Sequence, residues 1–325
     1  MKRTFVTGAT GFLGWHVARK LLDRGVPVRV LAREPGRVRE LDGAEVVRGD
    51  LRDPASLEAA VAGCEVVYHV AADYRLWAKD SQGMYRSNVD GTRNLLEAAR
   101  KARVERFVYT STVGCVGVPA EGIGDEQQPV SEQEMTGAYK HSKLLAERVA
   151  LEFAATSLPV VVVNPTAPIG DHDWKPTPTG RIVLDYLQGR MPAYLDTGLN
   201  VVDAGDTAEG HLLACERGRS GERYILGSEN LTLQQIFERL EAISGVPAPK
   251  VRIPYGVAYA AGLVSTAWAS LTGQEPRAPI DAVRMARKKM WVSHDKATRE
   301  LGFEPGPAEG ALRRAVEWFR SNGYV

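Results

Sequence analysis

Phe5-Val6-Thr7-Gly8-Ala9-Thr10-Gly11-Phe12-Leu13-Gly14 decides how the rest of the chain is read. A short apolar run enters three glycines spaced three apart, and Trp15-His16-Val17-Ala18-Arg19-Lys20-Leu21-Leu22 continues with helical periodicity. The expected unit is strand, glycine turn and helix, the first βα step of a dinucleotide-binding fold. Glycine lets backbone approach a pyrophosphate, and the helix N-terminus offers that anion free N–H groups and a positive dipole end. A glycine pattern of this kind is weak evidence alone. Its weight comes from what surrounds it.

Outward from the turn, short apolar runs alternate with helical patterns. Strands are expected over 26–32, 45–47, 65–70, 106–110 and 160–163, and helices over 54–61, 82–103 and 136–153. Asp53 and Pro54 supply an N-cap and a first helical residue for the 54–61 helix. The strand runs are almost continuously apolar, as in parallel sheets covered by helices on both faces. After Asn164-Pro165 the alternation stops, and Pro165, Pro168, Gly170, Pro176, Pro178 and Gly180 follow closely. Helices are then expected near 182–187, 204–216, 233–244 and 311–321, with short strands near 200–202 and 223–226. The expected fold is α/β, a Rossmann-type doubly wound parallel sheet with a smaller C-terminal substrate-binding lobe. Residues 1–164 form the dinucleotide-binding domain in this reading. Residues 165–325 form mainly the lobe, with segments near 200–216 returning to the nucleotide domain. Ligands of such sheets lie beyond the C-terminal ends of the strands.

The 325 residues are 44% hydrophobic and 25% charged, with a net charge of +1, so nothing global points to nucleic acid as a partner. Cys64, Cys115 and Cys215 are scattered and odd in number, without metal-ligand spacing; a reducing cytoplasm and no metal are expected. The chain enters its first strand at once, so no signal peptide is expected. No run of 18 apolar residues predicts a spanning helix. Tyr255 to Leu271 comes nearest, and reads as a partly buried helix of the lobe or, second, as a surface for lipid or a large apolar substrate.

Tyr139 and Lys143 stand four apart on the helix expected after the fifth strand, hence on one helical face. An ammonium beside a phenol lowers its pKa from about 10 and makes the tyrosine a usable acid or base. Ser111 and Thr112 close the fifth strand, where a hydroxyl can hold a carbonyl or alcohol oxygen. Thr112 is the expected catalytic one, with Ser111 satisfying backbone groups.

These residues, with Asp50-Leu51, His69-Val70-Ala71-Ala72, Asn88-Val89-Asp90-Gly91-Thr92 and Asn164-Pro165, resemble the extended short-chain dehydrogenase/reductases, the NAD-dependent epimerase/dehydratase superfamily. His69 to Trp77, Pro165 to Gly170, Pro176 to Arg181, Gly189 to Tyr194 and Met285 to Met290 resemble, more closely, its dihydroflavonol-reductase-like members and the hopanoid-associated sugar epimerases. The resemblance implies that Gly8, Thr10, Gly11, Phe12, Leu13 and Gly14 surround the pyrophosphate. It also implies that Asp50 and Leu51 contact adenine, that Ala71 and Ala72 line the cofactor path, and that Tyr139 and Lys143 bind the nicotinamide ribose. Thr112, Tyr139 and Lys143 would be catalytic, and Asn88 structural. Thr112 stands where the family usually has serine, which keeps the hydroxyl. Asp203 or Asp206 can align with a family aspartate. A homodimer through the helices carrying Asn88 and Tyr139 is also implied.

The second strand ends Leu31-Ala32-Arg33-Glu34, with Arg37 close behind. A guanidinium suits a ribose 2′-phosphate, whereas an acidic residue suits a 2′-OH. Arg33 and Arg37 therefore favour NADP(H), and Glu34 keeps NAD(H) as the alternative. The expected enzyme is an NADP(H)-dependent oxidoreductase moving hydride to or from a carbonyl or alcohol carbon. The alternative is a sugar or sugar-nucleotide epimerase linked to hopanoid biosynthesis. Tyr74, Arg75 and Trp77, with Arg181, Arg190 and Arg287, are the candidate substrate contacts, and Lys288 and Lys289 read as solvated.

Overall fold

The computed structural model describes residues 2–77, 81–119, 122–130, 132, 135–274, 276 and 279–325. The first half runs β1 (Thr4–Thr7), α1 (Phe12–Asp23), β2 (Val28–Ala32), β3 (Glu45–Arg48), α2 (Pro54–Val61), β4 (Val66–His69), α3 (Gln82–Tyr85), α4 (Gly91–Lys101), β5 (Arg106–Thr110), α5 (Gly137–Thr156) and β6 (Val160–Pro165). The second half runs β7 (Ala167–Ile169), α6 (Pro178–Leu187), β8 (Ala193–Tyr194), β9 (Gly198–Asp203), α7 (Ala204–Arg217), β10 (Arg223–Leu226) and β11 (Glu229–Thr232). It closes with α8 (Leu233–Ser244), β12 (Val251–Arg252), α9 (Tyr255–Thr272), α10 (Ile280–Met285), α11 (Asp295–Leu301) and α12 (Ala308–Ser321).

Seven parallel strands form the main sheet in the order β10-β6-β5-β4-β1-β2-β3. The winding reverses on either side of β1, so the crevice opens at the C-terminal ends of β1 and β4. Side chains alternate across the sheet. Val6, Val30, Val108 and Val163 pack with Trp15, Leu21 and Leu212 of α1 and α7. Phe5, Val67, Phe107 and Tyr109 pack with Leu57, Leu95 and Ala150 of α2, α4 and α5. Both faces are dry, which is why the strands read as unbroken apolar runs.

The strand expected at 223–226 joins this sheet as β10, beside β6, and α7 packs on α1. Between those returns the chain builds a second core, in which Ile169, Tyr186, Phe237, Leu312 and Phe319 meet beside the three-stranded sheet β11-β9-β7. An aromatic joint ties the two parts together. Trp15 of α1 stacks on His172 at 3.8 Å, with Trp174 and Trp318 around them.

The expected single helix over 82–103 is one continuous run to Lys101, but five residues, Arg86–Asp90, are π-helical. Such a bulge shifts the register of the helix face and is often found where function needs a side chain re-aimed. Asn88 lies on it.

Two buried histidines brace the strand ends. His69 Nδ1 is 2.8 Å from Thr7 Oγ1 and Nε2 is 2.9 Å from Thr92 Oγ1. Thr92 donates its only proton to the Asn88 carbonyl at 2.6 Å, so His69 Nε2 is the donor and Nδ1 accepts from Thr7. His211 of α7 lies 2.7 Å from the Thr207 carbonyl through Nδ1 and 2.9 Å from Thr110 Oγ1 through Nε2. Burial pushes His69 down to about 3 and His211 down to about 4, against an ordinary value of about 6.5. The unfolded chain therefore takes up these protons first as pH falls, and stability is lost from about pH 6.5 downward. The melting temperature should drop between about pH 7 and pH 5. The His69→Asn/His211→Asn variant, though less stable at neutral pH, should lose less over that interval. Equal losses in thermal melts would place the acid sensitivity elsewhere.

Candidate active site

The turn after β1 is shaped by what its glycines lack. Gly8 has φ +83°, and a Cβ there would stand 2.7 Å from the Ala71 backbone nitrogen. A Cβ on Gly14 would stand 2.3 Å from the Gly8 carbonyl oxygen. The Gly11 N–H donates to that same oxygen at 2.9 Å and closes the turn. Gly11 caps α1 without a side chain, so no cap bond occupies the first-turn N–H groups. Backbone donors facing a space that side chains would fill suit the phosphates of a dinucleotide. Around this cradle Thr10 is exposed, Phe12 buried and Leu13 partly buried. Ala71 and Ala72 follow β4 and are partly buried, the Ala71 N–H donating to Thr7 Oγ1.

At the end of β2 the register sets Ala32 opposite Arg48. Arg33 and Arg48 line a cavity of about 430 Å³ with Gly49, Asp50, Asp53 and Ser56. Arg48 is a feature that sequence reasoning missed, because only strand pairing brings it beside Arg33. Glu34 is engaged by Arg37 at 2.8 Å, both exposed. Asp50 pairs with Arg52 at 2.6 Å, which holds its carboxyl below the usual range. Leu51 is buried against Gly91.

Beyond β5, Thr112 Oγ1 accepts from the Gly114 N–H at 3.2 Å. That bond leaves the Thr112 hydroxyl proton uncommitted, beside the Tyr139 phenol. Burial nevertheless dominates and pushes the Tyr139 hydroxyl well above the ordinary phenol value. The expectation that Lys143 lowers that value is not met in this arrangement. The Lys143 ammonium instead donates to the Thr110 carbonyl at 2.6 Å and lies 4.5 Å from the centre of the Tyr109 ring. Burial pushes Lys143 itself down to about 8, against an opposing pull from Glu147. Ser111 Oγ is buried beside the Cys115 thiol, with no hydrogen bond of standard geometry among the described residues.

Glu147, one turn beyond Lys143, extends the same face of α5. Asn164 Nδ2 donates to Glu147 Oε2 at 2.9 Å and to the Thr112 carbonyl at 3.0 Å, and Arg223 of β10 approaches Glu147 at 3.4 Å. This group fixes Thr112 against α5. The i, i+4, i+8 spacing of Tyr139, Lys143 and Glu147 was the signal available in the sequence. Asn88 accepts from the Asp73 N–H at 2.7 Å and donates to Ser142 Oγ at 3.0 Å, joining the loop after β4 to α5.

Of the candidate substrate contacts, Tyr74 and Trp77 are partly buried in that loop, and Arg75 is held by Asp73 at 2.6 Å. Arg181 is exposed and Arg190 approaches Asp185 at 3.8 Å. Arg287 lines a different cavity with Arg252 and Tyr255. Lys288 and Lys289 are exposed, Lys289 approaching Asp196 at 3.7 Å. Asp173, unforeseen, is buried and raised to about 6, with Oδ2 accepting from Thr177 N–H and Oγ1. Asp203 caps α7 and pairs with Arg314 at 2.5 Å, while Asp206 accepts from Gly306 N–H. His16, Asp171 and His172 bring metal-type ligand atoms together, but the His16 bond to the Asp171 carbonyl and the Trp15–His172 stack account for them as packing.

The model of the NAD dependent epimerase/dehydratase family matches residues 4–227. The chain belongs to that family. It is similar over 99% of its length to a Synechocystis protein provisionally named dihydroflavonol 4-reductase, at 45% identity and 95% coverage of that protein. It is 36% identical to sterol demethylase protein B of Methylococcus capsulatus, with 99% of each chain covered. The solved structure of gox2253 superposes with a TM-score of 0.89 at 45% identity over 100% of both chains. Family members of this kind are NAD(P)-dependent oxidoreductases or epimerases, and the glycine cradle fits such a nucleotide.

The Gly14→Ala variant should lose nucleotide affinity by at least about tenfold, since its methyl must displace the Gly8 carbonyl from the turn. Fluorescence titration with NADPH and NADH checks this; unchanged affinity for both would separate the turn from nucleotide binding.

Proposed function

We propose that this protein is an NADP(H)-dependent oxidoreductase that interconverts a carbonyl and an alcohol. The observation that carries the reading is the Thr112–Tyr139 hydroxyl pair with Lys143 on the same helical face. When bound, the nicotinamide dinucleotide supplies or takes up the hydride. The protein's own residues handle the oxygen and its proton. Tyr139 keeps its proton at neutral pH, so it meets a carbonyl oxygen as a proton donor. Thr112 orients that oxygen with its free hydroxyl proton. Below about pH 8 Lys143 is charged, and it stabilises the phenolate left after proton transfer. Tyr139 and Lys143 also hold the nicotinamide ribose in this reading.

Gly8, Gly11 and Gly14 cradle the pyrophosphate, with Thr10, Phe12 and Leu13 around it. Asp50 and Leu51 border the adenine, and Ala71 and Ala72 line the path toward the nicotinamide. Arg33 and Arg48 form a two-guanidinium seat for a 2′-phosphate, and the Glu34 carboxylate that could compete for a ribose hydroxyl is engaged by Arg37. The name carried by the Synechocystis relative supports the reductase direction. The family's own name supports the second reading, an epimerase in which the hydride returns to the same substrate; a sugar or sugar-nucleotide substrate and a tie to hopanoid biosynthesis rest on the sequence resemblance.

Mass spectrometry of the nucleotide retained by the purified protein separates these readings. An empty site that takes up NADPH supports the reductase, and tightly held NAD supports the epimerase. Tyr139→Phe should cut turnover by about 10²–10⁴-fold while nucleotide still binds; full turnover would remove Tyr139 from the chemistry. Arg33→Ala should weaken NADPH binding about tenfold and leave NADH binding nearly unchanged. Equal losses for the two nucleotides would make Arg33 structural.

A further inference from the structure

Helix α9 is turned inside out. It rests on α10 through its small residues, with Ala258, Gly262 and Ala269 buried and Thr266 Oγ1 accepting the Ile280 N–H at 3.0 Å. Its large apolar residues face away from the protein: Val264 is 71% exposed, Trp268 65% and Leu271 84%. With Val257 they fall at spacings of seven, four and three, a single stripe along the helix. None of the 18 residues from Tyr255 to Thr272 is charged. A helix of that length runs about 27 Å, so the stripe is a contiguous apolar surface of the sort that marks an interaction site.

The surroundings say what it meets. Residues 250–289 hold seven Lys/Arg against two Asp/Glu, while the whole chain is only +1, so the rest of the molecule is net negative. Arg252 and Arg287 line a cavity of about 300 Å³ at the N-terminal end of α9 with Tyr255, and Arg284 reaches Tyr259 from α10. Asp196 approaches Arg252 and Lys289, and Asp281 approaches Arg284, which offsets only part of this charge. No described helix is long and apolar enough to cross a bilayer. An uncharged apolar stripe flanked by arginine and lysine is suited to lying in an anionic headgroup layer.

We infer that α9 docks this protein on an anionic lipid surface, with Val264, Trp268 and Leu271 at the acyl boundary and Arg252, Arg284, Arg287 and Lys289 among the lipid phosphates. The docking unit also touches the candidate site. Asp281 of α10 lies 2.7 Å from where a Cβ on Gly137 would stand, and Gly137 begins the helix that carries Tyr139 two residues later.

Sedimentation of the whole protein with vesicles tests this, independently of the reaction assigned above. Wild type should pellet with phosphatidylcholine vesicles containing phosphatidylglycerol and far less with phosphatidylcholine alone, and salt should release it. Val264→Asp/Leu271→Asp changes only exposed side chains. It should keep the wild-type melting temperature and lose about tenfold or more of the binding. Arg287→Glu/Lys289→Glu should lose about fivefold per basic residue removed. Absence of wild-type binding to the anionic vesicles would overturn the inference. So would a lipid-free dimer that Val264→Asp/Leu271→Asp abolishes.

Discussion

The clearance between Gly8 and Ala71 governs the architecture. β1 and β4 are neighbours at the point where the winding reverses, and the turn leaving β1 must pass over the backbone leaving β4. Only a residue without a Cβ, in the left-handed region, makes that passage. From the same place a directed chain of hydrogen bonds crosses the domain. Ala71 N–H donates to Thr7, Thr7 to His69 Nδ1, His69 Nε2–H to Thr92, and Thr92 to the Asn88 carbonyl. Asn88 Nδ2 donates to Ser142, and Ser142 to the Tyr139 carbonyl. From Ala71 to the Asn88 carbonyl the bonds run in one sense, so these members polarise one another, and the Asn88 side chain then ties this run to Ser142 and to Asp73. The glycine turn and the start of the Tyr139 helix are thereby one rigid object. A charged His69 would have two donors and would reverse the Thr7 bond, which is why the neutral ring is built in.

The π-helical bulge has its explanation in that chain. Asn88 Oδ1 accepts from the Asp73 N–H and its Nδ2 donates both to the Asp73 carbonyl and to Ser142, while its own carbonyl receives Thr92. A regular α-helical register offers one face per turn. The wider turn over Arg86–Asp90 lets a single residue serve the β4 loop and α5 together.

Legibility followed sequence distance. The glycine turn, the apolar strands and the Tyr139/Lys143 pair are local patterns, and the sheet, helices and their order are readable from them. Arg48 is adjacent to Arg33 only through the β2–β3 register, fifteen residues along the chain. Glu147, Asn164 and Arg223 meet only because β10 returns beside β6 after the chain has built the second core. Burial is equally non-local. Lys143 beside Tyr139 in sequence implies a phenol made more acidic, yet Lys143 is buried and Tyr139 half-buried, and the surrounding protein disfavours either charge. The phenol is pushed up and the ammonium down for one reason. The family resemblance bridged part of this gap, since it named Asn88 as structural without any pattern that required it.

Composition hides the other half of the molecule's character. A net charge of +1 describes a neutral chain, but the basic excess lies in one stretch around α9 and is balanced by acidic excess elsewhere. The sequence of α9 alone fits either a core helix or an outward-facing one, because its small and large residues are both apolar. Which stripe turns inward is set by α10. Ile280 and Val283 come so close at Gly262 that only small side chains fit between the helices. Close packing on small residues therefore forces the valines, leucine and tryptophan outward. The exposed apolar face is a consequence of how α9 is anchored to the same unit that abuts the start of α5.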